Sequence, residues 1–219
     1  MNKKVLIIIL VVVLLISAGL YFRNKQQQKK YYSVFIKKTA DATKEITINN
    51  KKIKRSDPLK HPLSFTINFW INIRTWEYNY GKRKNIFKWS GIQLWLKKTQ
   101  NHMLLRVPTY RGSNYISVKD IPIKKWINIS ITVENRNADL WLNGKLHTSL
   151  RLSGLPKIDF KQNMLICNNG GFAGLISKFK YYAKPLKKKH LFNLTSIVKL
   201  FKDGPGSLKT SKTDDDVDK

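Results

Sequence analysis

The sequence contains a single cysteine, Cys167, in a chain of 219 residues. No intrachain disulfide can form, which excludes the disulfide-stapled scaffolds typical of small secreted proteins. The chain therefore occupies a reducing compartment or folds without cross-links. Because Leu165 and Ile166 are apolar and no histidine lies close in sequence, we predict that Cys167 is a core thiol on a strand rather than a nucleophile.

Acidic residues are also scarce, since 13 Asp and Glu stand against 42 Lys and Arg and the formal net charge is +29. Such an excess predicts an anionic neighbour: a phospholipid surface, a nucleic acid, an acidic protein or a glycan. The alternative is compositional drift, because the chain is rich in Lys, Asn and Ile. No recognition helix or nucleic-acid motif is present, so binding to nucleic acid is expected to be non-specific.

Metal and cofactor signatures are missing from the sequence. The four histidines are scattered without the spacing of metal ligands, and no glycine-rich phosphate loop occurs. They are His61, His102, His147 and His190. We therefore predict no cofactor and no bound metal.

Residues 5–22, VLIIILVVVLLISAGLYF, form the one long uncharged hydrophobic run. As a helix this run would be about 27 Å long, which predicts a single membrane-spanning anchor. The anchor residues we single out are Val5, Ile8, Val12, Leu15, Tyr21 and Phe22. A cleaved signal peptide is the alternative, because Ser17 and Gly19 form a small-x-small pattern. The expected localisation is that of a single-pass membrane protein, in a virion inner membrane or a host intracellular membrane.

Short runs with a hydrophobic period of two make up most of the remaining chain. Ser90-Gly91 and Asn143-Gly144 are hairpin turn signals, because both central residues of such a turn need positive φ. Only residues 185–201 show the 3.6-residue period of a soluble helix. The pattern predicts an all-β fold, a jelly-roll sandwich of two antiparallel sheets with a short C-terminal helix. The predicted strands are 31–38, 64–73, 84–89, 92–97, 102–107, 126–133, 138–142, 145–151, 164–167 and 175–182.

The composition changes along the chain divide it into five parts. A flank (1–4) and the transmembrane helix (5–22) are followed by a basic stalk and linker (23–44). The β-sandwich is expected over residues 45–202. Residues 203–219 carry Gly, Pro, Ser and an Asp cluster and are expected to be a disordered acidic tail.

Three segments carry a family resemblance: SFTINFWINI at 64–73, DIPIKKWINISITVENRNADLWLNGKL at 120–146, and GGFAGLISKFKYYAKPL at 170–186. Their order resembles the concanavalin A-like lectin/glucanase superfamily, in its laminin-G-like or pentraxin-like form. The resemblance implies a two-sheet jelly roll. In that fold we expect Trp126 and Trp141 to cover the core edges, with their indole N–H groups reaching polar partners.

Catalysis does not follow from this resemblance. The glucanase branch uses carboxylates at alternate positions of one strand, and hydrolysis with retention needs two of them close together. Between residues 60 and 202 the acids are Glu77, Asp120, Glu134, Asp139 and Asp159, and they form no such set. Asp139 with Asn137 or Asn143 offers two or three calcium ligands, but the basic background opposes cation binding. We therefore predict that the protein is not an enzyme.

Aromatic residues remain as candidates for ligand contact. A polar loop over residues 74–84 and its surroundings are rich in aromatic side chains, and exposed rings can stack on sugar faces. The residues we single out for possible ligand binding are Trp76, Tyr78, Tyr80, Tyr110 and Arg111.

Two functions are compatible with these features. The first is a membrane-anchored binding or structural module, since the anchor and composition resemble those of membrane proteins of large DNA viruses. In that case the protein would be a virion membrane or minor capsid protein, with the lipid membrane and coat or membrane proteins as partners. The alternative is a carbohydrate-binding, lectin-like attachment protein whose partners are glycans.

Overall fold

The computed structural model describes the backbone of residues 3–196 and the side chains of residues 9–23 and 31–195. Within these residues a helix, α1 (Lys3–Lys30), precedes thirteen strands, and a helix, α2 (Lys188–Ser196), follows them. The strands are β1 (Tyr32–Val34), β2 (Ala40–Asp41), β3 (Ile46–Ile48), β4 (Phe65–Ile73), β5 (Lys84–Trp89), β6 (Ile92–Leu96), β7 (Met103–Thr109), β8 (Gly112–Val118), β9 (Trp126–Glu134), β10 (Asn137–Leu142), β11 (Lys145–Arg151), β12 (Met164–Ile166) and β13 (Gly174–Tyr182). A short 3-10 helix covers Asn50–Lys52.

The strands form two antiparallel sheets. One is seven-stranded, with the order β1-β13-β4-β9-β10-β11 and with β2 also paired to β13. The other is six-stranded, with the order β3-β12-β5-β6-β7-β8. The prediction of an all-β sandwich of two antiparallel sheets with a short C-terminal helix is therefore confirmed.

The core lies between the two sheets and is rich in aromatic rings. Phe69 of the seven-stranded sheet stacks on Phe179 with ring centres 4.9 Å apart and meets Phe87 of the other sheet edge-on at 6.1 Å. Phe65 meets Trp89 across the layer in the same edge-on way at 5.4 Å. Alternate apolar residues of β4 point inward, as their period of two predicted.

The other face of β4 and β9 is polar but buried. Asn68 Nδ2 donates hydrogen bonds to Asn128 Oδ1 at 2.9 Å and to Ser130 Oγ at 2.7 Å. These bonds satisfy groups that would otherwise be costly to bury. Asn128 is 0% exposed, so this polar side chain is fully enclosed. Helix α2 lies at this face, where Leu191 packs with Trp141 and Leu186.

Both predicted hairpin turns are present. Ser90 and Gly91 have φ of 50° and 78°, and Asn143 and Gly144 have φ of 49° and 76°. Positive φ at both central positions matches the right-handed twist of the flanking strands. The turns fix the registers of β5 against β6 and of β10 against β11.

Several local expectations need correction. Strands β2, β3 and β8 are missing from the predicted set, because the first two have only two and three residues and β8 is largely polar in sequence. The indole N–H of Trp141 is buried without a hydrogen-bond partner among the described residues, contrary to the expectation for this side chain. Cys167 is a buried core thiol as predicted, but it follows β12 rather than lying on it. The linker assigned to 23–44 contains β1 and β2, while the other domain limits stay predictions.

The membrane-span prediction is wrong. In the part of the chain that the structure describes, no helix combines the length and apolar character needed to cross a membrane. Helix α1 continues from the uncharged run through polar and basic residues to Lys30. The expected localisation as a single-pass membrane protein is corrected accordingly.

The structure describes only some of the residues predicted for the anchor, the C-terminal helix and the tail. Among the anchor candidates on α1, the exposed fractions of Val12, Leu15, Tyr21 and Phe22 are 47%, 67%, 62% and 63%. The side chains of Val5 and Ile8 lie outside the described residues. So do residues 197–201 of the predicted soluble helix and the tail 203–219.

Candidate functional site

The outward face of the six-stranded sheet carries a row of long polar side chains. The strand register pairs Lys88 with Gln93, Gln93 with Arg106, and Arg106 with Tyr115. A parallel row consists of Asn85, Trp95, Leu104 and Ser117. Since neighbouring strands lie about 4.8 Å apart, each row extends about 14 Å across β5 to β8.

A β-bulge positions the residues at one end of this face. The register of β5 against β6 shifts between Asn85 and Phe87, so that Ile86 is an extra residue and both Ile86 and Phe87 are buried. The bulge therefore turns Asn85 and Lys88, three residues apart, to the same outward face.

A cleft of about 350 Å³ opens beside these two residues. It lies where the loop 74–83, the strands β5 and β6, and the loop 167–173 meet. Its lining consists of Lys82, Arg83, Asn85, Lys88, Gln93, Asn168 and Asn169. The volume is in the range of pockets that hold small ligands.

The lining is basic and rich in amides. Lys82, Arg83 and Lys88 supply three cations, and four Asn or Gln side chains supply groups that can both donate and accept hydrogen bonds. No carboxylate lines the cleft, and within the described residues none of its three cations is paired with one. The guanidinium of Arg83 lies over the Trp95 ring, 4.3 Å from its centre.

Asn168 is the most constrained residue of the cleft. It is 6% exposed, and its amide oxygen is buried with no hydrogen-bond partner among the described residues. Its backbone carbonyl accepts a hydrogen bond from Asn85 Nδ2 at 3.4 Å, which ties the loop to β5. A buried acceptor without a donor costs about 1–3 kcal/mol. Because Asn168 lines the cleft, its amide would gain a hydrogen bond by turning this oxygen toward a ligand hydroxyl or N–H.

The loop that carries Asn168 has an unusual backbone. Cys167, Asn169, Gly170 and Gly171 all have positive φ, between 47° and 79°. A Cβ at Gly171 would lie 2.0 Å from the Ala42 carbonyl oxygen, so glycine is required there. Backbone held in sparsely populated conformations is concentrated at functional sites.

A buried lysine lies beneath the cleft loop. Lys84 is 0% exposed, and its Nζ donates a hydrogen bond to the Lys98 carbonyl at 3.0 Å and lies 5.5 Å from the centre of the Trp76 ring. Burial lowers the pKa of Lys84, because removal from water disfavours the charged form. Lys84 points into the sandwich and is not part of the cleft lining.

The five residues predicted for ligand contact lie at opposite ends of the sheet. Trp76, Tyr78 and Tyr80 belong to the loop that runs into Lys84, whose cross-strand partner is Leu96. Tyr110 and Arg111 form the turn between β7 and β8, at the far end of β7. Seven residues of β7 separate the two ends by about 20 Å, so one small ligand cannot contact both groups.

Only the first group lies near the cleft. A Cβ added at Gly170 would lie 3.4 Å from the Tyr78 hydroxyl, so this side chain supports the loop next to Asn168 and Asn169. Tyr80 is 65% exposed, whereas Trp76 packs against the core. At the far end Tyr110 is 72% exposed, and Arg111 packs on Gly154.

Sequence reasoning missed the cleft residues themselves. They come from three separate segments, and Lys, Asn and Gln are so common in this chain that none stands out. The one available signal was the outward polar pattern next to a Ser-Gly turn in residues 84–97.

No metal site or acid pair accompanies the cleft. Across the residues that the structure describes, no group of three or more His, Cys, Asp or Glu side chains is close enough to hold a metal ion. The cleft lining contains none of these residue types.

The sequence matches the family model described as the concanavalin A-like lectin/glucanases superfamily over residues 41–191, more than half of the chain. The chain belongs to this superfamily. The resemblance seen in the three sequence segments is thus confirmed. No curated protein matches the sequence.

Solved structures with a similar fold include receptor-binding domains of botulinum neurotoxins. That of the C/D mosaic serotype is 16% identical, with a TM-score of 0.57, over 75% of this chain and 44% of that one. The binding domain of serotype G is 17% identical, with a TM-score of 0.54, over 77% and 50%. A type C structure, whose description refers to cell entry through two ganglioside molecules, is 21% identical, with a TM-score of 0.50, over 62% and 36%.

At these identities the likeness shows the fold alone, and the chain spans half or less of each toxin structure. These comparisons give no support to the virion membrane or minor capsid role expected from the sequence. That expectation depended on a membrane span, which the described residues do not contain.

Proposed function

We propose that this protein is a non-enzymatic, lectin-like module that binds a glycan in the cleft beside the six-stranded sheet. The observation that carries the proposal is the buried, unpartnered amide oxygen of Asn168 in a cleft lined by amides and cations. Sugar hydroxyls both donate and accept hydrogen bonds, and Asn and Gln side chains match them in both respects.

The chemistry of the lining supports binding without catalysis. Glycoside hydrolysis needs a proton donor and a second carboxylate, and general acid–base catalysis uses groups such as His, Asp or Glu. The cleft offers Lys, Arg, Asn and Gln. These side chains can hold and orient a sugar, but they include no group suited to protonate a glycosidic oxygen near neutral pH.

The fold supports the same class of function. The superfamily is named for lectins as well as glucanases, and one structurally similar toxin is described through its interaction with gangliosides. Loops at the edge of a rigid sandwich are common positions for binding residues. Here the loops 74–83 and 167–173 close the cleft from two sides.

A glycan array probed with the full chain tests the proposal. The wild-type protein is compared with Asn168→Leu, which removes the amide, and with Tyr181→Phe as a matched control. Tyr181 has a buried hydroxyl without a partner in the core, away from the cleft lining. Both substitutions remove a buried unsatisfied group and are expected to raise the free energy of unfolding by about 1 kcal/mol.

We expect only Asn168→Leu to lose glycan binding. Binding is also expected to be the same with calcium and with a chelator, since the cleft has no carboxylate. Absence of binding to every glycan would overturn the proposed function. Unchanged affinity of Asn168→Leu would instead remove the cleft as its site.

A further inference from the structure

The cleft combines three cations with a complete lack of carboxylates. Lys82 and Arg83 come from one loop, and Lys88 projects from β5 on the same outward face as Asn85. These charges converge because of the bulge in β5, which turns Lys88 toward the cleft face rather than into the core. Like charges held close together repel each other, and a bound anion relieves that repulsion.

Arg83 is held in place before any ligand binds. Its guanidinium is stacked on Trp95 at 4.3 Å from the ring centre, and Trp95 is itself 7% exposed. A side chain fixed in this way loses little conformational freedom when it binds a ligand. The planar guanidinium can donate two parallel hydrogen bonds to a carboxylate or to a sulfate ester.

The amides limit the kind of anion that fits. Asn85, Gln93, Asn168 and Asn169 line the same cleft, and the buried oxygen of Asn168 lacks a donor, which a sulfate or chloride ion cannot supply. A sugar that carries an acidic substituent satisfies both requirements, because its hydroxyls face the amides while its charge faces the cations.

We infer that the cleft selects an acidic sugar, one that bears a carboxylate or a sulfate ester, over its neutral counterpart. This inference rests on the proposed glycan-binding function and specifies its ligand class. We expect Arg83, which is stacked on Trp95, to contribute most, together with Lys88 of β5. Farther along the same face Leu104 and Ser117 carry no charge, whereas Arg106, the cross-strand partner of Gln93, adds a cation beyond the cleft lining.

Calorimetric titration of the full chain with three probes tests this inference. The probes are 3′-sialyllactose, 3′-sulfated lactose and lactose, which share a disaccharide and differ in the acidic group. We expect both charged probes to bind at least about tenfold more tightly than lactose, as charge-assisted hydrogen bonds predict. The ratio between the two charged probes distinguishes a carboxylate from a sulfate ester as the preferred group.

Matched charge variants separate the cleft from the overall charge of +29. Arg83→Gln and Lys88→Gln are compared with Arg151→Gln and Lys145→Gln, which are exposed on β11 of the other sheet. All four remove one positive charge. We expect the first two to weaken binding of the charged probes about tenfold each and the last two to change it less than twofold.

The outcomes are distinguishable from failure of the proposed function. Equal affinity for lactose and the charged probes overturns the acidic-sugar inference and leaves glycan binding intact. If none of the three probes binds, the acidic-sugar inference is also overturned. The glycan array remains the separate test of the proposed function. Equal losses in the cleft and β11 variants would attribute the preference to the whole protein's charge and would likewise overturn the assigned site.

Discussion

The guanidinium of Arg83 lies 4.3 Å from the centre of the Trp95 indole ring, on the outward face of the six-stranded sheet. The pair joins a loop residue to a strand residue, since Arg83 precedes β5 and Trp95 lies on β6. It brings a cation to the edge of the cleft and covers an aromatic ring that would otherwise be open to solvent.

Replacement of Arg83 by alanine is expected to lower the free energy of unfolding by about 0.5–1 kcal/mol, the usual strength of an exposed cation–π contact. Arg83→Lys should retain part of this stability, because a charge stays near the ring. Urea denaturation measures the effect. The exposed Arg151→Ala serves as a control, and a loss as large as that of Arg83→Ala would contradict the structural role of the pair.

Lys84 provides a prediction about pH. Burial lowers its pKa, so between the folded-state pKa and the ordinary value of 10.5 the unfolded chain binds more protons than the folded one. The free energy of unfolding of the wild type should therefore rise with pH across that window.

Substitution of Lys84 by Met removes the buried charge and keeps most of the volume. We expect it to raise the stability at pH 7 by about 1 kcal/mol, and the advantage over the wild type to shrink by pH 10. Urea denaturation at the two pH values measures both effects, with exposed Lys145→Met expected to be near neutral at pH 7. Lower stability of Lys84→Met at pH 7 would show that the hydrogen bond to the Lys98 carbonyl outweighs the desolvation cost.

Alanine substitutions at two glycines with positive φ distinguish the cost of backbone strain from the cost of a steric clash. Gly171→Ala would place a Cβ 2.0 Å from the Ala42 carbonyl oxygen, whereas Gly81→Ala meets nothing within 4 Å. We expect Gly81→Ala to cost about 1 kcal/mol for the backbone conformation alone. Gly171→Ala should cost at least about 3 kcal/mol, because the neighbouring backbone must move. Thermal denaturation measures the two stabilities. If both substitutions lowered the stability equally, the close approach of the Ala42 carbonyl to Gly171 would be contradicted.

Cys167 should be unreactive in the folded protein. Burial, together with the charge of Asp41, raises its pKa to about 12, so the nucleophilic thiolate is scarce at pH 8. We expect Ellman's reagent to label it only at the rate of unfolding and at once in denaturant. Leu59→Cys, at a position 94% exposed, gives the matched reactive thiol. Rapid labelling of Cys167 in native buffer would contradict its burial.

Much of the fold was predictable from local pattern. Nine predicted strands match observed ones within about two residues at either end, and both hairpin turns occur at the dipeptides that require positive φ. The first strand is shorter than predicted, because only residues 32–34 pair with β13. The missed strands are too short or too polar for the sequence pattern to identify, and pairing with neighbours decides their conformation.

The candidate site was much less predictable. The aromatic residues correctly indicated the loop 74–83, which borders the cleft. The same reasoning also selected Tyr110 and Arg111, which lie about 20 Å away. The cleft residues are common polar types from three segments. Only the packing of the loop 167–173 against β5 brings them together.

The sequence by itself determined the fold class, the hairpin turns and the family, because these depend on periodicity and on residues with special backbone freedom. The tertiary structure alone decided which side chains share a surface. A strict alternation in β5 would place Lys84, Ile86 and Lys88 on one face, yet the bulge puts Lys84 and Ile86 in the core and Lys88 at the cleft. That choice depends on the strands and loops packed around β5, so no local pattern could reveal it.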